Sequence, residues 1–197
     1  MNHPDFTLLR RRIDEAITFH DVSRARATAL EGLLLAQHKE NLGETMYFKA
    51  QFAIMEECFD EAIRYLDRAL LHNPWDGAAY NDKALCLIEL GVIDGAEELF
   101  NKGIEVESDY ATIHHNKGWF LNKLGRHGEA LSCFEKALEL EPGRAVTYEN
   151  MADAYENAGQ MKEALRAYKK ALELIRFSGS IEDQIKEEIR RLEDGGD

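Results

Sequence analysis

The sequence predicts an all-α protein, a right-handed superhelix of antiparallel helix pairs stacked on one another, and three observations predict it. A shift of 34 residues brings Ala62, Ala96, Ala130 and Ala164 into register without insertion. The same shift aligns two more small columns, Ala50, Ala84, Gly118 and Ala152, and Ala69, Gly103, Ala137 and Ala171, and one bulky column, Leu66, Phe100, Phe134 and Tyr168. Each period also splits into two helical stretches with a turn between them. Small residues let helix axes approach toward ~8 Å, and a helix pair too thin to cover its own apolar faces must stack on the next pair.

The elements follow in chain order. Residues 1–42 keep helical periodicity without the repeat's columns: Phe6, Leu9, Ile13, Ala16 and Ile17 line one face, Val22, Ala25, Ala29, Leu33 and Ala36 another, with His20-Asp21 as the break. This segment is expected to be a degenerate helix pair that caps the array. Four repeats follow, over 43–76, 77–110, 111–144 and 145–178. In the clearest, the predicted helices are 112–124 and 127–140. Gly125, with Gly91 and Gly159 one period to either side, falls where a helix ends in a left-handed residue. Pro74 and Pro142 stop the second helix of their repeats, because proline cannot continue the hydrogen-bond ladder. Ser108 and Arg176 replace that proline, and at Arg176 the helix is expected to run on into Phe177. Within 179–197, Ser180 followed by Glu182 and Asp183 is a helix start, and Ile181, Ile185, Ile189 and Leu192 form one apolar stripe beneath a polar outer face. A capping helix on the last repeat, then a frayed acidic tail, is the expectation. The alternative use of that stripe is self-association into a homodimer.

These columns resemble the tetratricopeptide (TPR) family. Its pattern of aromatic, small, Ala, aromatic and Pro positions is approximated by Tyr148, Met151-Ala152, Tyr155, Ala164, Tyr168 and Ala171, and by Gly118, Leu121, Ala130, Phe134, Ala137 and Pro142. The resemblance implies a TPR-type solenoid acting as a protein-interaction scaffold. Where the family usually has Leu, three repeats carry Lys49, Lys83 and Lys117; their stems are expected to pack while the ammonium groups reach solvent or acids such as Glu56 and Glu89. His114 stands where a core aromatic is usual and reads as a satisfied buried histidine.

Composition narrows the function. With 24 basic and 37 acidic residues the chain carries a formal charge of −13, which repels nucleic-acid backbones and anionic membranes. No apolar stretch is long enough for a membrane span or a signal peptide, and the cytoplasm is the expected compartment. Cys58, Cys86 and Cys133 are odd in number and irregularly spaced, which suggests reduced, partly buried thiols and neither a disulfide framework nor a zinc site. Nucleotide-binding, nucleophile-elbow and zinc-protease motifs are absent, and the adjacent His114 and His115 point about 100° apart on a helix. No cofactor, metal or catalytic residue is expected, and an enzyme built on the scaffold is a remote alternative.

The expected site is instead a groove lined by the first helix of each repeat. On the fourth repeat, Tyr148, Ala152 and Tyr155 face the core, leaving Glu149, Asn150 and Asp153 on a second stripe with Val146 and Asn157. In TPR-like proteins this stripe lines a concave groove that holds a partner segment. One period back it contains His115, Asn116, Trp119 and Lys123, then Asn81, Asp82 and Glu89, then Tyr47, Phe48 and Gln51. Asn116 and Asn150 offer donor and acceptor to a peptide backbone; Trp119, Tyr47 and Phe48 are candidate anchors. Chaperone-binding members of the family line this groove with Lys and Arg to hold an acidic C-terminus. Here Glu44, Asp82, Glu89, Glu149 and Asp153 stand against Lys123 alone, so a neutral or basic partner segment is expected.

Overall fold

The computed structural model describes residues 4–18, 21–175 and 180–194, with the side chains of Pro4, Ser180 and Ile181 excepted. The described residues form helices and turns with no strand, and the chain makes two compact units, Met1–Ser108 and Asp109–Asp197. The sequence predicts a single array; the boundary falls at Ser108, one of the two positions that lack the repeat's proline.

The first unit contains α1 (Pro4–Thr18), α2 (Val22–His38), α3 (Leu42–Met55), α4 (Phe59–His72), α5 (Gly77–Glu89) and α6 (Ala96–Val106), each packed on the next. Asp21, Asn41 and Asp76 start α2, α3 and α5 by accepting the backbone N–H of Arg24, Glu44 and Ala79. Phe6, Leu9, Ile13 and Ala16 are buried, as are Ala25, Ala29 and Ala36. Ile17 and Val22, read as core, are exposed instead; they stand at the facing ends of α1 and α2, where the helices have fewest neighbours. His20 lies outside the described residues.

The second unit contains α7 (Ala111–Lys123), α8 (His127–Leu140), α9 (Ala145–Asn157), α10 (Met161–Leu174) and α11 (Ser180–Asp194). Again each helix packs on its successor, and α7 also touches α9. The small and bulky columns are the core of both units: Ala62, Ala96, Ala130 and Ala164 are fully buried, and Leu66, Phe100, Phe134 and Tyr168 lie beside them. The small column is a steric requirement, since a Cβ on Gly118 would sit 2.8 Å from the Phe134 ring and 3.1 Å from the Ala130 carbonyl oxygen.

Gly91, Gly125 and Gly159 have φ of 75°, 77° and 76°, the left-handed turn expected of them. One period earlier Glu57 takes the same conformation at φ 57° without glycine's freedom. The helix α10 stops at Leu174, with Ile175 extended, so the second helix of the last repeat does not run on from there; Arg176 and Phe177 lie outside the described residues. The lysine column also differs in its partners. Lys83 Nζ donates to Asp67 at 2.6 Å, and Lys49 lies 5.8 Å from the Tyr65 ring, both on α4, whereas Glu56 accepts from Arg26. Cys86 is buried, Cys133 half-buried and Cys58 exposed.

Candidate partner-binding surface

In the first unit the expected groove positions are largely consumed by the chain itself. Arg10, presented by α1, is 7% exposed and donates to Asp76 Oδ1 and Oδ2 at 2.7 and 2.8 Å and to Glu44 Oε2 at 3.0 and 3.2 Å. Its guanidinium lies 3.6 Å over the Tyr47 ring. Burial opposes the charge, but Asp76 and Glu44 outweigh it and hold Arg10 well above its ordinary value. The two acids diverge. Burial pushes Glu44 up despite Arg10; for Asp76 the desolvation is outweighed by Arg10 and by the Ala78 and Ala79 N–H groups, and its carboxyl is held down. The geometry accounts for the split, because Asp76 takes one Arg10 bond on each oxygen and caps a helix, while Glu44 receives both of its bonds on one oxygen.

Beside this cluster Asp82 accepts from Gln51 at 2.6 Å and from Asn81 at 2.9 Å, and burial still raises its carboxyl. Tyr47, Phe48, Gln51 and Asn81 are all buried, Phe48 against Phe6 of α1 at 6.1 Å between centroids. The expectation of an aromatic, open groove at this end is therefore corrected: these four side chains are interior, and only Asp82, half-buried, and Glu89, exposed, reach the surface. Periodicity identified the face, but Phe6 and Arg10 of α1 lie against Phe48 and Tyr47, and Gln51 and Asn81 both donate to Asp82.

The second unit is more open. His115 is buried against Phe134, with Nδ1 3.0 Å from Thr147 Oγ1, and Asn150 Nδ2 lies 3.3 Å from its Nε2. An amide nitrogen only donates, so Nε2 accepts, and the proton of the neutral ring sits on Nδ1. Burial, with Arg144 nearby, pushes the imidazole down to about 3, and it stays neutral through the physiological range. His115 thus holds Asn150 in place and is not itself a contact surface, a second correction to the expected groove. Asn116 and Glu149 are half-buried, and burial beside Asp153 raises the Glu149 carboxyl.

Five expected residues converge on one cleft of about 260 Å³: Trp119 and Lys123 of α7, Asn150, Asp153 and Asn157 of α9. The pattern also missed residues that line it. Asn122 of α7 and Glu156 of α9 sit on the cleft's edge, Tyr168 comes from the core column of α10, and Glu188 and Arg191 come from α11. Tyr168 donates its hydroxyl to Asp153, whose carboxyl burial pushes up even so. Arg191 donates to Glu156 at 2.5 Å and to Glu188 at 2.7 Å, a pairing that raises the guanidinium further. The signal available in the sequence was position: Glu188 and Arg191 lie three residues apart, flanking the isoleucine stripe, and belong neither to it nor to the outermost polar face.

That stripe has a neighbour within the chain. Ile185 and Ile189 are buried on Ala164, Ala167, Tyr168 and Ala171 of α10, with Leu192 packed alongside. The side chain of Ile181 lies outside the described residues. Ile185 and Ile189 are thus taken up within the chain, as a capping helix requires, and of the described stripe Leu192 alone stays half-buried. Among the described residues, no helix is long and apolar enough to cross a membrane and no cluster of three His, Cys, Asp or Glu could hold a metal ion.

Helices paired around small columns, with an inward polar stripe, define an α-helical repeat protein of the interaction type. Two family models, both described as tetratricopeptide repeat, match residues 53–115 and 109–176, and the chain belongs to the TPR family. No curated protein matches the sequence significantly. Solved structures agree in fold. TTC0263, a thermophilic TPR protein in Thermus thermophilus, superposes with a TM-score of 0.74 at 17% identity, covering 94% of this chain and 99% of that one. YrrB, described as a TPR protein with an unusual peptide-binding site, gives 0.61 at 18%, covering 91% and 88%. A MamA structure gives 0.61 at 22%, covering 86% and 91%.

Proposed function

We propose that this chain is a protein-interaction scaffold that takes a neutral or basic segment of a partner on α7 and α9, with a binding and not a catalytic role. The observation that carries this reading is the cleft in the second unit. It gathers an aromatic, three asparagine amides and three carboxylates against two cations on packed helices, the combination that holds a peptide by its backbone and selects it by charge. Peptide binding, part of the description of YrrB, is consistent with it. Acidic segments are disfavoured because Glu149 and Asp153 are both already raised, so a further carboxylate would meet like charge there.

Calorimetric titration of the full chain with a lysine- and arginine-rich peptide and with an acidic peptide of equal length tests the reading. Binding of the basic peptide is expected, weakened at least tenfold by Trp119→Ala and by Asn150→Ala. Tight binding of the acidic peptide that persists at 0.5 M salt would defeat the charge preference, and indifference to both substitutions would defeat the site.

A further inference from the structure

The cleft's charges do not balance. Arg191 is taken up by Glu156 and Glu188. Asp153 receives the Tyr168 hydroxyl, and Glu149 stands one turn before it on α9; among the described residues neither carboxylate makes an ion pair. Lys123 also lines the cleft and its charge acts on Asp153, so the lining carries two cations against the three carboxylates Asp153, Glu156 and Glu188. Trp119, half-buried on α7, forms the wall next to this excess of negative charge. At about 260 Å³ the opening lies below the ~300–1,000 Å³ typical of small-molecule sites and suits one long side chain.

The same chain shows how such a place is filled. Arg10 lays its guanidinium over the Tyr47 ring while carboxylates take its N–H groups, and Arg191 bridges two carboxylates at the cleft's own edge. Aromatic face, carboxylates and a confined opening favour guanidinium over ammonium, because the planar fork stacks, pairs with two oxygens and is less strongly hydrated.

We infer that the second-unit cleft is an arginine-accepting pocket, in which a guanidinium from a partner segment stacks on Trp119 and pairs with Asp153, with Glu149 one turn away on α9 adding to the negative field. This rests on the scaffold reading above and names the side chain that reading leaves open. Selection is then by guanidinium chemistry and not by net charge alone.

The test is calorimetric titration of the full chain with four blocked ten-residue peptides, identical except for a central Arg, Lys, citrulline or Glu. The Arg peptide is expected to bind at least tenfold more tightly than the citrulline peptide, with Lys between them and Glu weakest. Glu149→Gln with Asp153→Asn should cost the Arg peptide at least tenfold and leave the citrulline peptide within twofold. Thermal melting of that variant checks that it is folded. Equal binding of Arg and citrulline, untouched by the carboxamide pair but lost in Trp119→Ala, overturns the arginine pocket and leaves the scaffold reading standing. Lys binding as tightly as Arg also overturns it. No binding of any peptide at millimolar concentration, or binding insensitive to Trp119→Ala, overturns both.

Discussion

Replacing Arg10 with methionine keeps an apolar stem of similar length and removes the cation that pairs with Glu44 and Asp76. Four hydrogen bonds disappear, together with the stacking on Tyr47. Both carboxylates stay behind, buried, at 5% and 2% exposure. Breaking a buried pair from one side costs about 3–5 kcal/mol, most of it the penalty of the stranded charge and not the worth of the pair. The triple variant Arg10→Met/Glu44→Gln/Asp76→Asn separates the two contributions. It removes the stranded charges, and the substituted asparagine side chain can still cap α5, so the loss should fall to about 1–2 kcal/mol. Urea unfolding followed by Trp75 fluorescence in a Trp119→Phe background reads this, because Trp75 adjoins Asp76 in the first unit. Asp76 is held below its ordinary value when folded, so it contributes stability at neutral pH that is lost as the pH falls below about 4. Glu44 is raised and acts in the opposite sense, costing stability where it ionises. Arg10→Met should abolish the Asp76 contribution. A single variant within 1 kcal/mol of the parent, or a triple variant as unstable as the single, would refute the account of α1 as fastened by a buried ion cluster.

Two further outcomes come from single residues. Glu57→Gly should stabilise the chain by about 0.5–1 kcal/mol, the left-handed strain of ~1–2 less the extra ~0.4–1 of unfolded-chain entropy, read as a raised melting temperature; Glu57→Ala should not. His115 is near 3 when folded against 6.5 when unfolded, so the unfolded chain takes up its proton first, and stability falls by about 2 kcal/mol between pH 7 and pH 5. His115→Gln should remove that part of the slope, and an imidazole resonance of His115 titrating near 6.5 in the folded chain would contradict it.

The helix pairs, their turns and the close-packed columns were legible in the sequence because each is a short-range signal repeated at a constant period. Gly125 turns left-handed for reasons contained in two residues, and Ala62, Ala96, Ala130 and Ala164 report the same close approach four times over. What faces the inner stripe is a different kind of question, which tertiary structure decided. Gln51 and Asp153 occupy the same position of the repeat, yet one is interior and the other open. Gln51 is tied to Asp82 of α5, whereas Asp153 accepts from Tyr168 at a cleft that α11 edges with Glu188 and Arg191. Arg10 reaches Asp76 across 66 positions of chain, and Arg191 reaches Glu156 across 35. Periodicity determines which side of a helix points away from its own pair. It carries no information about which distant side chain fills the space beyond, since that depends on where the terminal helices come to rest.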